Sequence, residues 1–337
     1  MNYAIVDIGS NTVKMSIFTE EGARLAQKTR TLGLIGRMQK NLLTREGIEA
    51  LVDALLAFRQ SAAEWGCERL FPFATASLRA AENRFEIVNE IKTRVGCLVE
   101  IVDGEKEAAL SLAGIRFAAG APLGCGVLLD MGGGSCEVLS FGEKEGARPL
   151  SLPVGALSLH ARFVRNILPT KEETDAIRAY VFKTAKEAGL GPVPGELFAV
   201  GGTIRALAAL SAAEKGEPAP PSLPFVITES EAESLLCRVT AMTIETKLLL
   251  LRLAPERIHT LPAGLAAYLA LLPVLGKERI TVVEGGAREG YFLEVRKREK
   301  ALCAFKAEER ADRSDGTGEG AEKSKEPDND VYQGGGK

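Results

Sequence analysis

Histidine is nearly missing from this chain: His160 and His259 are the only two in 337 residues. Two isolated imidazoles are too few for a histidine metal centre or a serine triad, and each is read as a structural residue. Six cysteines, Cys67, Cys97, Cys125, Cys136, Cys237 and Cys303, are scattered with no pair at CxxC spacing. That pattern excludes a zinc site or a disulfide framework and leaves reduced, buried thiols. No Gly-Lys-[Ser/Thr] sequence occurs, so a P-loop nucleotidase is excluded. No stretch reaches ~18 uninterrupted apolar residues. The chain enters a strand pattern at once, Asn2-Tyr3-Ala4-Ile5-Val6, with no basic segment leading an apolar run. Neither secretion nor membrane spanning is expected, and the expected compartment is the cytoplasm. A formal net charge of −3 gives no global attraction for nucleic acid, another polyanion or an anionic lipid surface. Any phosphate-rich ligand must be held by local geometry.

What is present is an alternation of short apolar strands and amphipathic helices, long enough for two domains and a tail. Tyr3 to Val6 and Val13 to Phe18 read as strands. Glu46 to Trp65 carries Ile48, Leu51, Leu55, Leu56 and Phe58 at helical spacing. Leu70 to Phe73 reads as a buried strand, about Arg79 to Arg94 as a helix, Cys97 to Val102 as a strand and Glu105 to Phe117 as a helix. Ala119-Gly120-Ala121-Pro122-Leu123-Gly124 reads as a hinge between residues 1–120 and 121–290. Beyond it the pattern is mostly helical, with a strand at Arg279 to Val283. From about Lys306 large apolar residues almost vanish, and 306–337 is expected to be a disordered tail.

The opening theme returns after the hinge. Ile5-Val6-Asp7-Ile8-Gly9-Ser10-Asn11-Thr12 leads into Val13 to Ile17. Val127-Leu128-Leu129-Asp130-Met131-Gly132-Gly133-Gly134-Ser135 leads into Glu137 to Phe141. Each is an apolar strand ending in aspartate, a Gly/Ser-rich turn and a return strand, an internal repeat that implies two similar domains facing each other. Glycines in such turns let backbone N–H groups converge on an anion, and an aspartate just before the turn can hold a hard divalent cation. Taken singly, either hairpin could be an ordinary turn shaped by its aspartate; two copies in matching context favour a phosphate grip. A third element, Phe198-Ala199-Val200-Gly201-Gly202-Thr203-Ile204-Arg205, runs from strand to helix. Thr203 could cap that helix, whose N-terminus is an anion site, although alone the segment reads rather as a close strand-to-helix packing turn.

Together these three elements resemble the two phosphate loops and the nucleoside-side loop of the acetate kinase, sugar kinase, chaperone and actin superfamily. Within it the chain is similar to the exopolyphosphatase/guanosine-pentaphosphate phosphatase family. Ala74 to Asn83, Asp103-Gly104-Glu105-Lys106-Glu107-Ala108, Leu261-Pro262-Ala263-Gly264 and Gly286-Ala287-Arg288-Glu289-Gly290 follow in the family's order, across about residues 3 to 300. The resemblance implies an α/β fold of two RNase H-like domains with an active-site cleft between them. A C-terminal helix around Tyr291 to Phe305 would rejoin the first domain, as in the shorter members of the family.

Position by position, the resemblance makes Glu107 the general base and Arg79 a phosphate contact. Gly9, Ser10, Asn11, Gly132, Gly133, Gly134, Ser135, Gly201, Gly202 and Thr203 become phosphate-binding, and Asp7, Asp130 and Glu137 become metal-proximal acids for Mg²⁺. Lys14 and Arg288 are weaker candidates. Departures from the family pattern fall at Lys106, Ser158 and His259, where substrate preference could differ. The implied activity is removal of terminal phosphate from inorganic polyphosphate or of the γ-phosphate from guanosine pentaphosphate. A homodimer is left open. Two rivals remain at this point: a small-molecule kinase of the superfamily, and a nucleotide- or alarmone-sensing protein without turnover.

Overall fold

The computed structural model describes residues 1–120, 123–142 and 149–315, with 306–315 described by backbone alone. The first lobe begins with a meander, β1 (Tyr3–Ile8), β2 (Thr12–Phe18) and β3 (Arg24–Thr31). A small ribbon, β4 (Met38–Gln39) and β5 (Leu42–Leu43), leads to α1 (Arg45–Ala63), β6 (Leu70–Ala74), α2 (Ala76–Ala80), α3 (Arg84–Val95), β7 (Glu100–Ile101) and α4 (Gly104–Ala119). The sheet order is β3-β2-β1-β6-β7, antiparallel across the meander and parallel from β1 to β7.

The second lobe repeats the plan. β8 (Gly126–Met131), β9 (Cys136–Phe141) and β10 (Leu150–Leu152) form its meander. There follow α5 (Ala156–Phe163), α6 (Lys171–Glu187), β11 (Glu196–Val200), α7 (Gly202–Glu214), β12 (Phe225–Thr228), α8 (Glu229–Ala241), α9 (Ile244–Leu253), α10 (Leu261–Leu275) and β13 (Arg279–Val282). Its sheet order, β10-β9-β8-β11-β13-β12, matches the first sheet strand for strand before β12 is added at the edge. The repeat extends to single residues. Asp7 lies across the ladder from Lys14 as Asp130 lies across from Glu137. The same turn bond closes both hairpins, Gly9 N–H to the Thr12 carbonyl at 3.1 Å and Gly132 N–H to the Ser135 carbonyl at 2.9 Å.

Helix α4 joins the lobes energetically. Its Leu110 packs in an aromatic cluster under the first sheet with Tyr3, Phe18, Phe73, Tyr291 and Phe292. Its Ala108 and Ile115 pack with Leu128, Leu139, Phe198 and Val200 of the second sheet. Burial of two faces of one helix, at about 25 cal/mol per Å² of apolar surface, ties α4 to both sheets. Helix α11 (Ala287–Asp315) starts against the same aromatic cluster. It crosses α4 so closely that a Cβ on Gly114 would overlap the Gly286 carbonyl, and one on Gly290 the Leu110 carbonyl. Met1–Val295 forms one compact unit; the remainder of α11, from Arg296, belongs to a second.

Several expectations change. The single helix expected from Arg79 to Arg94 is two. Ala81 is extended, and the Asn83 side chain bonds both the N–H and the carbonyl of Leu43 at 3.0 Å, breaking the helix to clamp β5. The strand expected over Cys97 to Val102 is only Glu100–Ile101. β3 was not foreseen because, as an edge strand exposed along nearly its whole length, it carries no apolar alternation. α11 begins before Tyr291 and its backbone stays helical past Lys306 to Asp315. The rest of the expected tail, 316–337, and hinge residues Ala121 and Pro122 lie outside the described residues.

The α4–α11 crossing is testable. Gly114→Ala should lower the unfolding free energy by about 1–3 kcal/mol through overpacking. Gly36→Ala, where a Cβ meets open space, should change it by less than ~0.5 kcal/mol. Urea titration of both variants checks the contrast.

Candidate active site

Both glycine hairpins turn their carbonyls away from one cavity. The Ser10 carbonyl accepts from Ile35 N–H, and that of Asn11 from Leu32 and Gly33 N–H. In the second hairpin the Gly132 carbonyl accepts from Ala156 N–H, and that of Gly133 from Leu157 and Ser158 N–H, so the first turn of α5 is bonded to the loop. With the carbonyls engaged behind, the amides of Ser10, Asn11, Gly133 and Gly134 have no protein acceptor among the described residues. They are donors poised for an anion. The loops nearly touch: a Cβ on Gly134 would come within 2.7 Å of Ser10 Oγ and 3.1 Å of the Ala76 methyl.

The cavity between them encloses about 130 Å³ and is lined by Asp7, Gly9, Ser10, Asn11, Glu107, Asp130, Gly132, Gly133, Gly134, Ser135, Gly201, Gly202 and Thr203. Nearly every expected site residue therefore converges on one space. The expected cap is the exception in detail. Gly201 occupies the N-cap of α7 without a side-chain bond. Thr203 is buried in the first turn, its methyl against Gly264 of α10.

Arg79 and Glu137 are not among the lining residues. Arg79 donates through Nη1 to Glu107 Oε2 at 2.9 Å and to the Val102 carbonyl at 3.0 Å, while its Nη2 lies 3.7 Å from Glu137 Oε1. The same Glu137 oxygen accepts from Ser135 Oγ and Ser151 Oγ, both at 2.8 Å. Arg79 is thus bonded to the expected base. Ser111, on α4 one turn after Glu107, donates to Asp130 Oδ2, so α4 positions two of the acids.

Burial raises the proton affinity of all four carboxyls. Desolvation pushes Glu107 well above the usual range, with Glu137 adding repulsion and Arg79 opposing. Asp130 is raised by burial against the Ser111 bond, and Asp7 by burial against Arg288 and Lys14. Glu137 rises to about 7, through burial first and Asp130 second. Across the cavity, burial and then Arg288 lower Lys14 to about 8. Lys14, Arg205, Arg257 and Arg288 all line the space. Arg205 and Arg257 carried no expectation from sequence, although both stand in segments that did; Ser111 and Ser151 gave no signal, their role being purely tertiary.

Hard-oxygen donors and the absence of soft ligands suit Mg²⁺. Among the described residues no three His, Cys, Asp or Glu group into a self-sufficient metal cage. The expected trio is not assembled as one, because Glu137 is engaged by two serines and an arginine. Mg²⁺ ordinarily takes one or two carboxylates and fills its remaining positions with water and phosphate oxygens. Asp7 and Asp130, both lining the cavity and raised in proton affinity by burial, fit that requirement. His160 and His259 lie apart from the site, ring against ring at 5.3 Å.

Two sheets of matching order with a cavity between their glycine hairpins define an actin-like ATPase fold. The Ppx/GppA phosphatase family model matches residues 5–299, and the chain belongs to that family. It is therefore a hydrolase acting on phosphoric anhydrides. Exopolyphosphatase 1 of Mycobacterium tuberculosis (strain H37Rv) is 28% identical over 313 residues, covering 87% of this chain and 88% of that protein. A Ppx/GppA family crystal structure from Aquifex aeolicus, at 25% identity, superposes with a TM-score of 0.72 over 89% of this chain and 98% of that one. An exopolyphosphatase structure from Cytophaga hutchinsonii, at 21% identity, shares the fold with a TM-score of 0.77 over 88% and 98% of the two chains.

The buried acids predict a pH dependence. Below about 4.5 Glu137 is protonated whether folded or unfolded. Between there and about 7 the folded chain keeps a proton that the unfolded chain has lost, so stability falls as pH rises. Metal-free protein should lose melting temperature across that window, and Glu137→Gln should flatten the decline. Thermal melts in chelator from pH 4.5 to 8 measure both.

Proposed function

We propose that this chain removes the terminal phosphate of inorganic polyphosphate by Mg²⁺-dependent hydrolysis, in the cytoplasm. One observation carries the reading: two hairpins with unengaged amides face each other across a cavity into which Glu107 projects from a third element. The amides take the oxygens of the transferred phosphoryl group, a neutral cradle that needs no rearrangement as charge develops. Glu107 accepts a proton from water or orients it; its Oε2 is held by Arg79, leaving Oε1 toward the nucleophile. Arg79 thereby positions the base rather than gripping phosphate in this conformation. Asp7 and Asp130 would hold Mg²⁺, which when bound would neutralise charge on the anhydride and lower the proton affinity of nearby carboxyls, Glu107 among them.

The named activity of the mycobacterial relatives supports polyphosphate. Conversion of guanosine pentaphosphate to the tetraphosphate uses the same terminal chemistry and is the second reading. Free thiols at all six cysteines suit a reducing compartment, and among the described residues no helix is long and apolar enough to cross a membrane.

Phosphate release from long polyphosphate, short polyphosphate, guanosine pentaphosphate and ATP under identical Mg²⁺ tests the assignment. Release in water alone, greatest for polyphosphate, is expected. A need for an acceptor would indicate a kinase, and binding without turnover a sensor.

Two substitutions test the roles. Glu107→Gln should lower kcat by about 10²–10⁴-fold, the usual range for a general base, with little change in substrate affinity; single-turnover rates at several Mg²⁺ concentrations separate base from metal ligand. Asp130→Ala should abolish hydrolysis while circular dichroism remains that of the folded chain.

A further inference from the structure

Among the described cavity arginines, Arg205 carries a buried guanidinium nitrogen with no hydrogen-bond partner. It projects from the first turn of α7, just after the Gly201-Gly202 turn. Its Nη2 donates to the Gly285 carbonyl at 2.8 Å and lies 3.8 Å from the half-exposed Glu284 carboxylate. Its Nε is buried and has no acceptor. A guanidinium has five donors, and a buried donor without a partner is costly, so the arrangement suits an acceptor arriving from the cavity.

The placement says which acceptor. Asp130 Oδ2 is bonded by Ser111 of α4, one turn from Glu107, while its Oδ1 faces Gly201, where a Cβ would come within 3.3 Å. Asp130 thus lies between α4, which carries Glu107, and the start of α7, which carries Arg205. In-line displacement puts water and leaving oxygen on opposite faces of the transferred phosphorus. With water at Glu107, the departing chain lies on the Arg205 side. The α7 amides of Gly202 and Thr203 open on that same side, beyond the reach of helix bonding and without a side-chain cap.

Resting on the polyphosphate reading, the geometry points to Arg205 as the residue that binds the phosphoryl group next to the one removed, through Nε and the free edge of its guanidinium. It stabilises charge on the leaving phosphate. Its Nη2 bond to Gly285 fixes the plane of the fork.

Steady-state hydrolysis of tripolyphosphate and of long polyphosphate by wild type, Arg205→Lys and Arg205→Met tests this, over a range of potassium chloride. Arg205→Met should lose about 10–100-fold in kcat/KM, the loss expected for one charge-assisted phosphate contact, and its dependence of log KM on log salt should be shallower by about one unit. Arg205→Lys keeps the charge and should retain the wild-type salt slope with a smaller loss. Melting temperatures near wild type in both variants are part of the expected result. Unchanged kcat/KM in Arg205→Met overturns the assignment. So does a loss accompanied by the wild-type salt slope and a lowered melting temperature, which would make Arg205 a brace for Gly285. Wild type that releases no phosphate from either chain defeats the polyphosphate reading itself, and this assignment with it.

Discussion

Four carboxyl groups held out of water within one small region are the constraint around which the rest of the structure is arranged. Asp7, Glu107, Asp130 and Glu137 each lose hydration, and each holds its proton more tightly there than it would in water. The protein answers with Arg79, Ser111, Ser135 and Ser151, and with cations across the cavity. None of these fully offsets the burial. On the proposed reading, a divalent cation with phosphate would do what they cannot, and the acids that weaken the fold by their burial would suit such an occupant.

Holding those acids in register requires two lobes to meet with little slack. The cradle amides exist because each loop's carbonyls are fastened elsewhere, to the segment Leu32–Ile35 in one lobe and to α5 in the other. Between them α4 carries Glu107 and Ser111 one turn apart, on a helix packed against both sheets. Its glycine crossing with α11 removes the side chains that would hold the two backbones apart. A shift of that crossing would move Glu107 and the Asp130 bond together, so packing far from the cavity sets the geometry of its acids.

Among the described residues the cavity lining carries no aromatic side chain, and its apolar side chains are Met131, Leu157, Val200 and small alanines. On the proposed reading, phosphoryl groups would be met by amides and guanidinium groups, whose directional donors match tetrahedral oxygens. Binding strength therefore rests on charge and hydrogen bonding, and salt should weaken it more than temperature-dependent apolar burial would predict.

The repeat of strand, aspartate, glycine turn and strand was legible in sequence because its causes are local. Apolar strands, turn glycines and the terminal Asp of each strand are read from neighbours in the chain. The match of Asp7 with Asp130, the α/β class and the convergence of three glycine loops all followed from it. Other features were decided by residues far apart in sequence. The edge strand β3 is paired by β2 rather than by any apolar pattern of its own. The break after α2 exists because Asn83 reaches Leu43. Arg79 holds a glutamate rather than an open anion site because Val102, Ser151 and Glu137 surround it. Ser111 and Arg205 matter only through the company they keep. Composition and periodicity report a residue's own preference. Which donor finds which acceptor is settled when the two lobes close on α4, since a hydrogen bond depends on tenths of an ångström that only tertiary packing sets.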